Sequence, residues 1–183
     1  MNSLLVLTFF GLAASVFAEP SCSDTEANKC NKLAPSGIEY DLNKSWPETA
    51  KGLDFLCPGF LKMIQCTIDF SARCPNTLTA AFIDSNREYQ RIYSKICSES
   101  DPARQKFLET VPCLNKEVGI ITKGCEKTIT DLGYCELQDA IGKCIKDEVA
   151  KKCGKEAYRM FSNLYKPREA QFEVFCRVNS KDM

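Results

Sequence analysis

Twelve cysteines are the residues of this 183-residue chain whose type and spacing have the clearest chemical meaning. Cysteines bind metals, react as thiols or form disulfides, and their spacing helps to distinguish these uses. The chain contains no C-x-x-C pair and no histidine, so we expect no metal site, no redox site and no cofactor. The even number of cysteines instead predicts six disulfides among Cys22, Cys30, Cys57, Cys66, Cys74, Cys97, Cys113, Cys125, Cys135, Cys144, Cys153 and Cys176.

The absence of histidine also removes most hydrolytic chemistry, because Ser-His-Asp triads, Cys-His pairs and the His-Asp pair of secreted helical phospholipases all need an imidazole. Two carboxylates alone still suffice for glycosidases and aspartic proteases. Closely spaced acids occur at Asp147-Glu148 and at Glu169 and Glu173, but they stand among lysines and arginines, which is typical of a solvated helix face. We therefore expect a protein that is not an enzyme, with no catalytic residues.

The charges exclude a further class of partner. The chain has 24 acidic and 24 basic side chains, and it therefore has no net formal charge. A nucleic-acid binder or a polybasic membrane binder needs an excess of positive charge. We expect neither a nucleic-acid partner nor stable insertion into a membrane.

The first residues resemble a secretion signal. Residues 4–12 are mostly apolar, and Val16 and Ala18 suit the small-residue positions of a cleavage site. We interpret residues 1–18 as a signal peptide, and we expect the mature protein to begin at Glu19 in an oxidising, extracellular compartment. The sequon Asn43-Lys44-Ser45 is then a candidate for N-glycosylation at Asn43, although a sequon can also remain unmodified.

The cysteine spacing repeats within the chain. Steps of 9, 8 and 23 residues follow Cys57, and steps of 9, 9 and 23 residues follow Cys135. Aromatic residues recur with them, since Tyr93 and Phe172 both lie 19 positions after the preceding cysteine. We predict an internal duplication, with one six-cysteine unit in residues 19–100 and a second in residues 101–183, together forming one compact domain.

The units that carry these cysteines are predicted to be helical. Apolar residues recur with a 3.6-residue period after Leu78, and in steps of four from Leu137 to Cys153. No run of alternating β-branched residues predicts a strand. The fold class is therefore all-α, a disulfide-stapled helical bundle built from two similar units.

Local signals place the ends of these helices. Ser45 with Glu48 forms a capping-box pattern, and Asp101-Pro102 combines a cap with a proline at the first helical position. Gly133 resembles a C-terminal stop. Proline within a helix removes a donor and clashes with the preceding turn, so we expect Pro58 and Pro167 to kink or interrupt their helices.

Helical hairpins suggest which cysteines pair. If helices on either side of a turn near Asn76 are antiparallel, Cys57 and Cys97 meet at the open end of the hairpin, and a turn near Gly154 brings Cys135 to Cys176. These two pairs are favoured. The remaining cysteines are expected to pair between neighbouring helices, and their order is left open.

Aromatic residues raise the question of a ligand. They make up 10% of the chain, and nine of them lie on helical stripes: Phe55, Phe60, Phe82, Tyr89, Tyr93, Tyr158, Phe161, Phe172 and Phe175. Packing between helices is the usual role of such stripes. Alternatively, two rigid units enclose an apolar cavity for a lipid or another small hydrophobic ligand.

Short helical segments that end in single cysteines resemble those of secreted cysteine-rich helical proteins of invertebrates, of the hemolymph-glycoprotein and nematode chondroitin-proteoglycan types. The similar segments are 53–57, 107–113 and 172–176. The resemblance implies an extracellular protein without enzymatic activity and supplies no site residues. We therefore expect a secreted binding or carrier protein, whose partner is a small hydrophobic ligand or an extracellular protein. The alternative is a venom, salivary or silk-associated component that acts as a toxin, inhibitor or structural protein.

Overall fold

A computed structural model describes residues 22–34, 46–74, 79–129 and 132–179. These residues form five α-helices and no β-strand, which confirms the all-α class. The signal peptide predicted at residues 1–18 and the sequon at Asn43 lie outside the described residues. The helices are α1 (Asp24–Asn31), α2 (Ala50–Arg73), α3 (Thr79–Cys97), α4 (Pro102–Thr128) and α5 (Tyr134–Asn179).

Three of the described helices begin with a side-chain cap, and Ser23 is the cap of α1. Asp101 caps α4 as predicted, since its carboxylate accepts a hydrogen bond from the N–H of Ala103 at 2.8 Å. The helix α2 begins later than the Ser45 signal predicts, because Thr49 is its cap and accepts a hydrogen bond from the N–H of Gly52 at 3.1 Å. Serine and threonine hydroxyls can both accept a hydrogen bond from a free N–H group of a first helical turn. The residue type alone therefore does not show which of the two positions is the cap.

Gly133 marks the start of a helix, and its interpretation as a helix stop is wrong. The helix α4 already ends at Thr128, and α5 begins directly after Gly133. The carbonyl of Gly133 accepts the hydrogen bond from the N–H of Leu137 that closes the first turn of α5. Glycine is tolerated at both ends of helices, which explains the error.

Neither Pro58 nor Pro167 interrupts its helix. Pro58 lies inside α2 and Pro167 inside α5. Pro167 is fully buried, and its carbonyl accepts a hydrogen bond of 2.8 Å from the buried hydroxyl of Ser85 in α3. Packing on both sides of a proline can hold a helix together although one backbone hydrogen bond is missing.

The helix α5 is a hairpin rather than one straight rod. Gly154 has φ +84° and ψ 177°, a backbone conformation that is not helical, and it divides α5 into arms of residues 134–153 and 155–179. Cys135 and Cys176 are 41 positions apart, yet their Cα atoms are 5.8 Å apart. A straight helix would separate them by about 60 Å. The predicted turn near Gly154 is therefore present.

Two core clusters hold the helices together. The first contains apolar residues of α2 and α3 together with Phe107 and Val111 from the start of α4 and Leu164 from α5. The second is built by the rest of α4 and by both arms of α5. Trp46 and Met160 pack against both clusters. Because α4 and α5 each contribute to both clusters, these two helices join the halves of the molecule.

Polar contacts reinforce the junction between α4 and α2. The buried Arg104 of α4 donates hydrogen bonds to the carboxylate of Asp54 at 2.6 Å and to the carbonyl of Ala50 at 3.1 Å. These contacts fix the first turn of α4 against the first turns of α2.

Candidate functional site

Six disulfides form the frame of the molecule and use all twelve cysteines. The first half of the chain contains Cys22 with Cys74, Cys30 with Cys66 and Cys57 with Cys97. The second half contains Cys113 with Cys153, Cys125 with Cys144 and Cys135 with Cys176. In both halves the first cysteine pairs with the fifth, the second with the fourth and the third with the sixth. No bridge connects the two halves.

The two pairs favoured by the hairpin geometry are both present. Cys57 and Cys97 have Cα atoms 5.7 Å apart, and Cys135 and Cys176 have Cα atoms 5.8 Å apart. Both separations lie in the ordinary range for a disulfide. Each bridge closes the open end of an antiparallel helix pair, α2 with α3 in the first half and the two arms of α5 in the second. The disulfides therefore hold helix ends rigidly and supply no reactive thiol.

Three of the four acidic residues that are candidates for carboxylate chemistry, Glu148, Glu169 and Glu173, lie in ion pairs. Glu148 is 2.6 Å from Lys151, and Glu169 is 2.6 Å from Lys146. A hydrogen bond from Lys151 lowers the pKa of Glu148, followed by the coulombic effect of the same lysine. A general acid needs a raised pKa, because it must hold its proton near neutral pH. The pKa of Glu148 is instead lowered, which is the opposite of what a general acid needs.

Two further kinds of site are absent from the parts of the chain that the structure describes. Among those residues, no group of three or more Cys, Asp or Glu side chains could hold a metal ion. None of the described helices is both long and apolar enough to span a bilayer.

The nine aromatic residues of the predicted stripes are buried, half-buried or exposed, and the two half-buried ones are Tyr89 and Phe172. Phe60, Tyr93 and Phe161 are buried in the core clusters, as expected for packing between helices. Burial raises the pKa of Tyr89 to about 12 and also raises the pKa of Tyr93. Four others remain at the surface: Phe55, Phe82, Tyr158 and Phe175.

Three aromatic rings meet at the surface beside the bridge between Cys135 and Cys176. The ring centroid of Tyr134 lies 6.4 Å from that of Phe172 and 6.0 Å from that of Phe175. Tyr134 is 56% exposed and Phe175 is 38% exposed. We call these three residues the terminal aromatic face. Aromatic residues that are exposed together mark interaction sites far more often than single exposed apolar residues do.

The terminal aromatic face is held in place by covalent and ionic neighbours. Tyr134 and Phe175 directly precede the two cysteines of one disulfide, so the bridge fixes both backbones. The guanidinium carbon of Arg168 lies 5.4 Å from the ring centroid of Phe172 and 5.7 Å from that of Tyr165. A cation over these rings adds favourable electrostatic interaction and limits the motion of the Phe172 side chain.

The terminal aromatic face is only partly predictable from the sequence. Phe172 and Phe175 belong to a predicted stripe, but Tyr134 does not, because Gly133 was interpreted as the end of a helix. The signal that identifies Tyr134 is its place directly before Cys135, which matches the place of Leu56 before Cys57.

The chain was compared with known proteins in three ways. No family model, no curated protein and no solved structure matches it.

Proposed function

We propose that this protein is a secreted, non-enzymatic binding protein of extracellular fluid, which binds a macromolecular partner on its terminal aromatic face. The exposure of Tyr134 beside Phe172 and Phe175 is the observation that carries this proposal. Leaving large rings in water costs free energy, so the two exposed rings of Tyr134 and Phe175, held beside the half-buried Phe172, favour a role in binding.

The disulfides support the extracellular part of the proposal. Six bridges in one chain are typical of proteins that mature in an oxidising compartment. The apolar leader at residues 1–18 and the resemblance to secreted cysteine-rich helical proteins agree with this location. Those secreted cysteine-rich helical proteins largely have no assigned activity, which also fits a protein without a catalytic centre.

The shared disulfide order supports the internal duplication. Six cysteines allow many connectivities, yet both halves use the same one. We infer that the two halves are copies of one ancestral unit of three helices. In the first half these helices are α1, α2 and α3, and in the second they are α4 and the two arms of α5.

The junction between the halves favours a macromolecular partner over a small apolar ligand. A carrier of the kind considered from the sequence would hold its ligand between the two units. Trp46 and Met160 occupy that junction and pack against both core clusters. The terminal aromatic face instead lies beside the bridge that closes the α5 hairpin, and Tyr134 is 56% exposed there.

Affinity capture from the native extracellular fluid tests the proposal. Immobilised wild-type protein is compared with Tyr134→Lys, which places a charge in the terminal aromatic face. Phe55→Lys is the matched control, because Phe55 is 74% exposed on α2 and lies outside this face. We expect a stoichiometric protein partner that is lost from Tyr134→Lys and retained by Phe55→Lys.

Lipid extraction and mass spectrometry of the same purified protein distinguish the carrier alternative. A stoichiometric hydrophobic molecule that remains bound to Tyr134→Lys would overturn the proposal in favour of a small-ligand carrier. A protein partner that binds wild type and Tyr134→Lys equally would show that another surface is used.

A further inference from the structure

The residues of the terminal aromatic face have counterparts in the first half of the chain. Leu56 and Tyr134 each directly precede the third cysteine of their half. Tyr93 and Phe172 each lie four residues before the sixth cysteine, and Ile96 directly precedes it as Phe175 does. The disulfide between the third and sixth cysteines places the counterparts around equivalent bridges.

In the first half, these counterparts are buried in a cluster to which the start of α4 and Leu164 of α5 contribute. Leu56, Tyr93 and Ile96 are buried in the same core cluster as Phe107 and Val111 of α4. The start of α4 thus provides an apolar stripe for the end of the α2 and α3 pair. Arg104 lies one turn before Phe107 on α4 and pairs with Asp54, which fixes the helix in this position.

In the second half, two of the three equivalent positions are exposed, and the third, Phe172, is half-buried. Tyr134 and Phe175 are exposed, whereas Leu56 and Ile96 are buried. We propose that the terminal aromatic face binds an amphipathic helix of a partner protein in the way that the first half binds the start of α4. This inference rests on the proposed function and specifies the kind of partner.

The first half also indicates the side chains that such a helix should carry. The residues of α4 that contact the first half, Arg104, Phe107 and Val111, follow the i, i+3, i+7 spacing of a helix that lies in a groove. Asp54, which binds Arg104, lies three residues before Cys57, and Leu132 lies three before Cys135. Leu132 precedes α5 whereas Asp54 lies inside α2, but Leu132 is 43% exposed and apolar, so the second half has no carboxylate at this position of the sequence. The partner helix should therefore have an apolar residue where α4 has arginine.

A second copy of this protein is a poor source of the helix. The stripe of Phe107 and Val111 is already buried in its own chain. The helix α1 is the first helix of the first half, as α4 is the first helix of the second half. It carries no large apolar residue within Asp24–Asn31. A helix from another protein is therefore the occupant that these surfaces favour.

A peptide derived from α4 provides the probe. It spans residues 101–112 and carries Arg104→Leu to match Leu132, and its binding to the intact oxidised protein is followed by fluorescence anisotropy and NMR. We expect saturable binding with shifts at Tyr134 and Phe172, at least tenfold weaker binding to Tyr134→Lys, and unchanged binding to Phe55→Lys. A control peptide that also carries Phe107→Asp and Val111→Asp should not bind.

A variant of the protein covers the case in which the wild-type aromatic residues bind a helix with a sequence different from that of the α4 peptide. The triple substitution Tyr134→Leu, Phe172→Tyr and Phe175→Ile gives the second half the side chains of the first, and circular dichroism checks that it folds. Binding of the peptide to this variant alone would still support helix docking at this surface.

Failure of the peptide to bind both wild type and the triple variant would overturn helix docking. Equal binding to wild type and Tyr134→Lys would do the same. If a native partner still depends on Tyr134 in affinity capture, the proposed function stands while the helix inference fails. If sedimentation equilibrium shows a dimer that Tyr134→Lys dissociates, the occupant is a second copy and the inference is wrong.

Discussion

At the scale of single residues, Asn115 makes the most specific polar contacts between distant parts of the chain. Its side-chain oxygen accepts a hydrogen bond from the N–H of Trp46, and its amide nitrogen donates to the carbonyl of Trp46, both at 2.8 Å. The same nitrogen donates to the carboxylate of Glu48 at 2.8 Å. One side chain thus fixes the segment before α2 against α4, 69 positions away.

Replacing Asn115 should destabilise the junction between the halves. We expect Asn115→Ala to lower the free energy of unfolding by about 2 kcal/mol, because backbone groups of Trp46 lose their partners in a partly buried place. Urea unfolding with the disulfides intact measures this change. Asn163→Ala, at an exposed position of α5, is the control and should change the free energy by less than about 0.5 kcal/mol. Equal effects would contradict the role of Asn115.

Buried tyrosines should make stability depend on pH in the alkaline range. Burial raises the pKa values of Tyr89, Tyr93 and Tyr165 above the usual value of 10, for Tyr89 to about 12. Above pH 10 the unfolded chain loses these protons while the folded chain keeps them, so rising pH favours unfolding. Their contribution to stability is complete below pH 10 and is lost as the pH rises through the folded pKa values.

The expected loss is about 1.4 kcal/mol per pH unit for each tyrosine that stays protonated only in the folded state. Urea unfolding between pH 9 and about pH 12 measures it, with a thiol-blocking reagent present to prevent disulfide exchange. The double variant Tyr89→Phe and Tyr93→Phe should show a shallower decline, whereas Tyr158→Phe, at the surface, should behave as wild type. An unchanged slope in the double variant would refute this explanation.

At the scale of secondary structure, the turn at Gly154 determines the shape of the second half. With φ +84° and ψ 177°, this residue occupies a region that is accessible almost only to glycine. A Cβ added there would meet no atom within 4 Å, and the same holds for Gly124 inside α4. The two glycines therefore differ in backbone conformation and not in available space, which makes them a matched pair.

We expect Gly154→Ala to lower the free energy of unfolding by about 1–3 kcal/mol, because alanine is strained in this conformation. Gly124→Ala should raise it by up to about 1 kcal/mol, because alanine favours a regular helix. Thermal and urea unfolding of both variants measure the difference. A neutral Gly154→Ala would mean that another residue forms the turn.

The sequence predicts these elements well where one local cause dominates. Periodicity identifies the helices, Asp101-Pro102 caps α4, and equal distances from a turn bring Cys57 to Cys97 and Cys135 to Cys176. It fails where a distant contact decides the outcome. Pro167 stays helical because α3 packs against it, and the partner of Asn115 is 69 positions away. The terminal aromatic face depends on which helix covers a given end, and no short segment encodes that.

At the scale of the whole molecule, the disulfides within each half and the apolar packing between the halves both stabilise the fold. The three bridges of each half restrict its unfolded chain, and core residues of α4 and α5 join the halves, between which there is no disulfide. Such a molecule is suited to persist outside the cell.

Secretion and oxidation can be tested together on the protein expressed in eukaryotic cells. We expect it in the culture medium, with Glu19 as its first residue and with no thiol available to alkylation after denaturation. N-terminal sequencing and mass spectrometry of alkylated protein measure these properties. Protein that stays inside the cells, or labelled cysteines, would contradict the proposed extracellular location, and residues 1–18 retained on protein in the medium would contradict the predicted cleavage.

The separate closure of the two halves has a consequence for protease damage. Any single backbone cut between Cys22 and Cys97, or between Cys113 and Cys176, is spanned by at least one bridge and leaves the fragments covalently attached. A cut at Glu99-Ser100, in the exposed turn before α4, is spanned by none. The molecule thus has one short stretch, between Cys97 and Cys113, at which a single proteolytic cut separates two fragments that each keep three disulfides. Dissociation of these fragments would expose the apolar end of the α2 and α3 pair that α4 contacts.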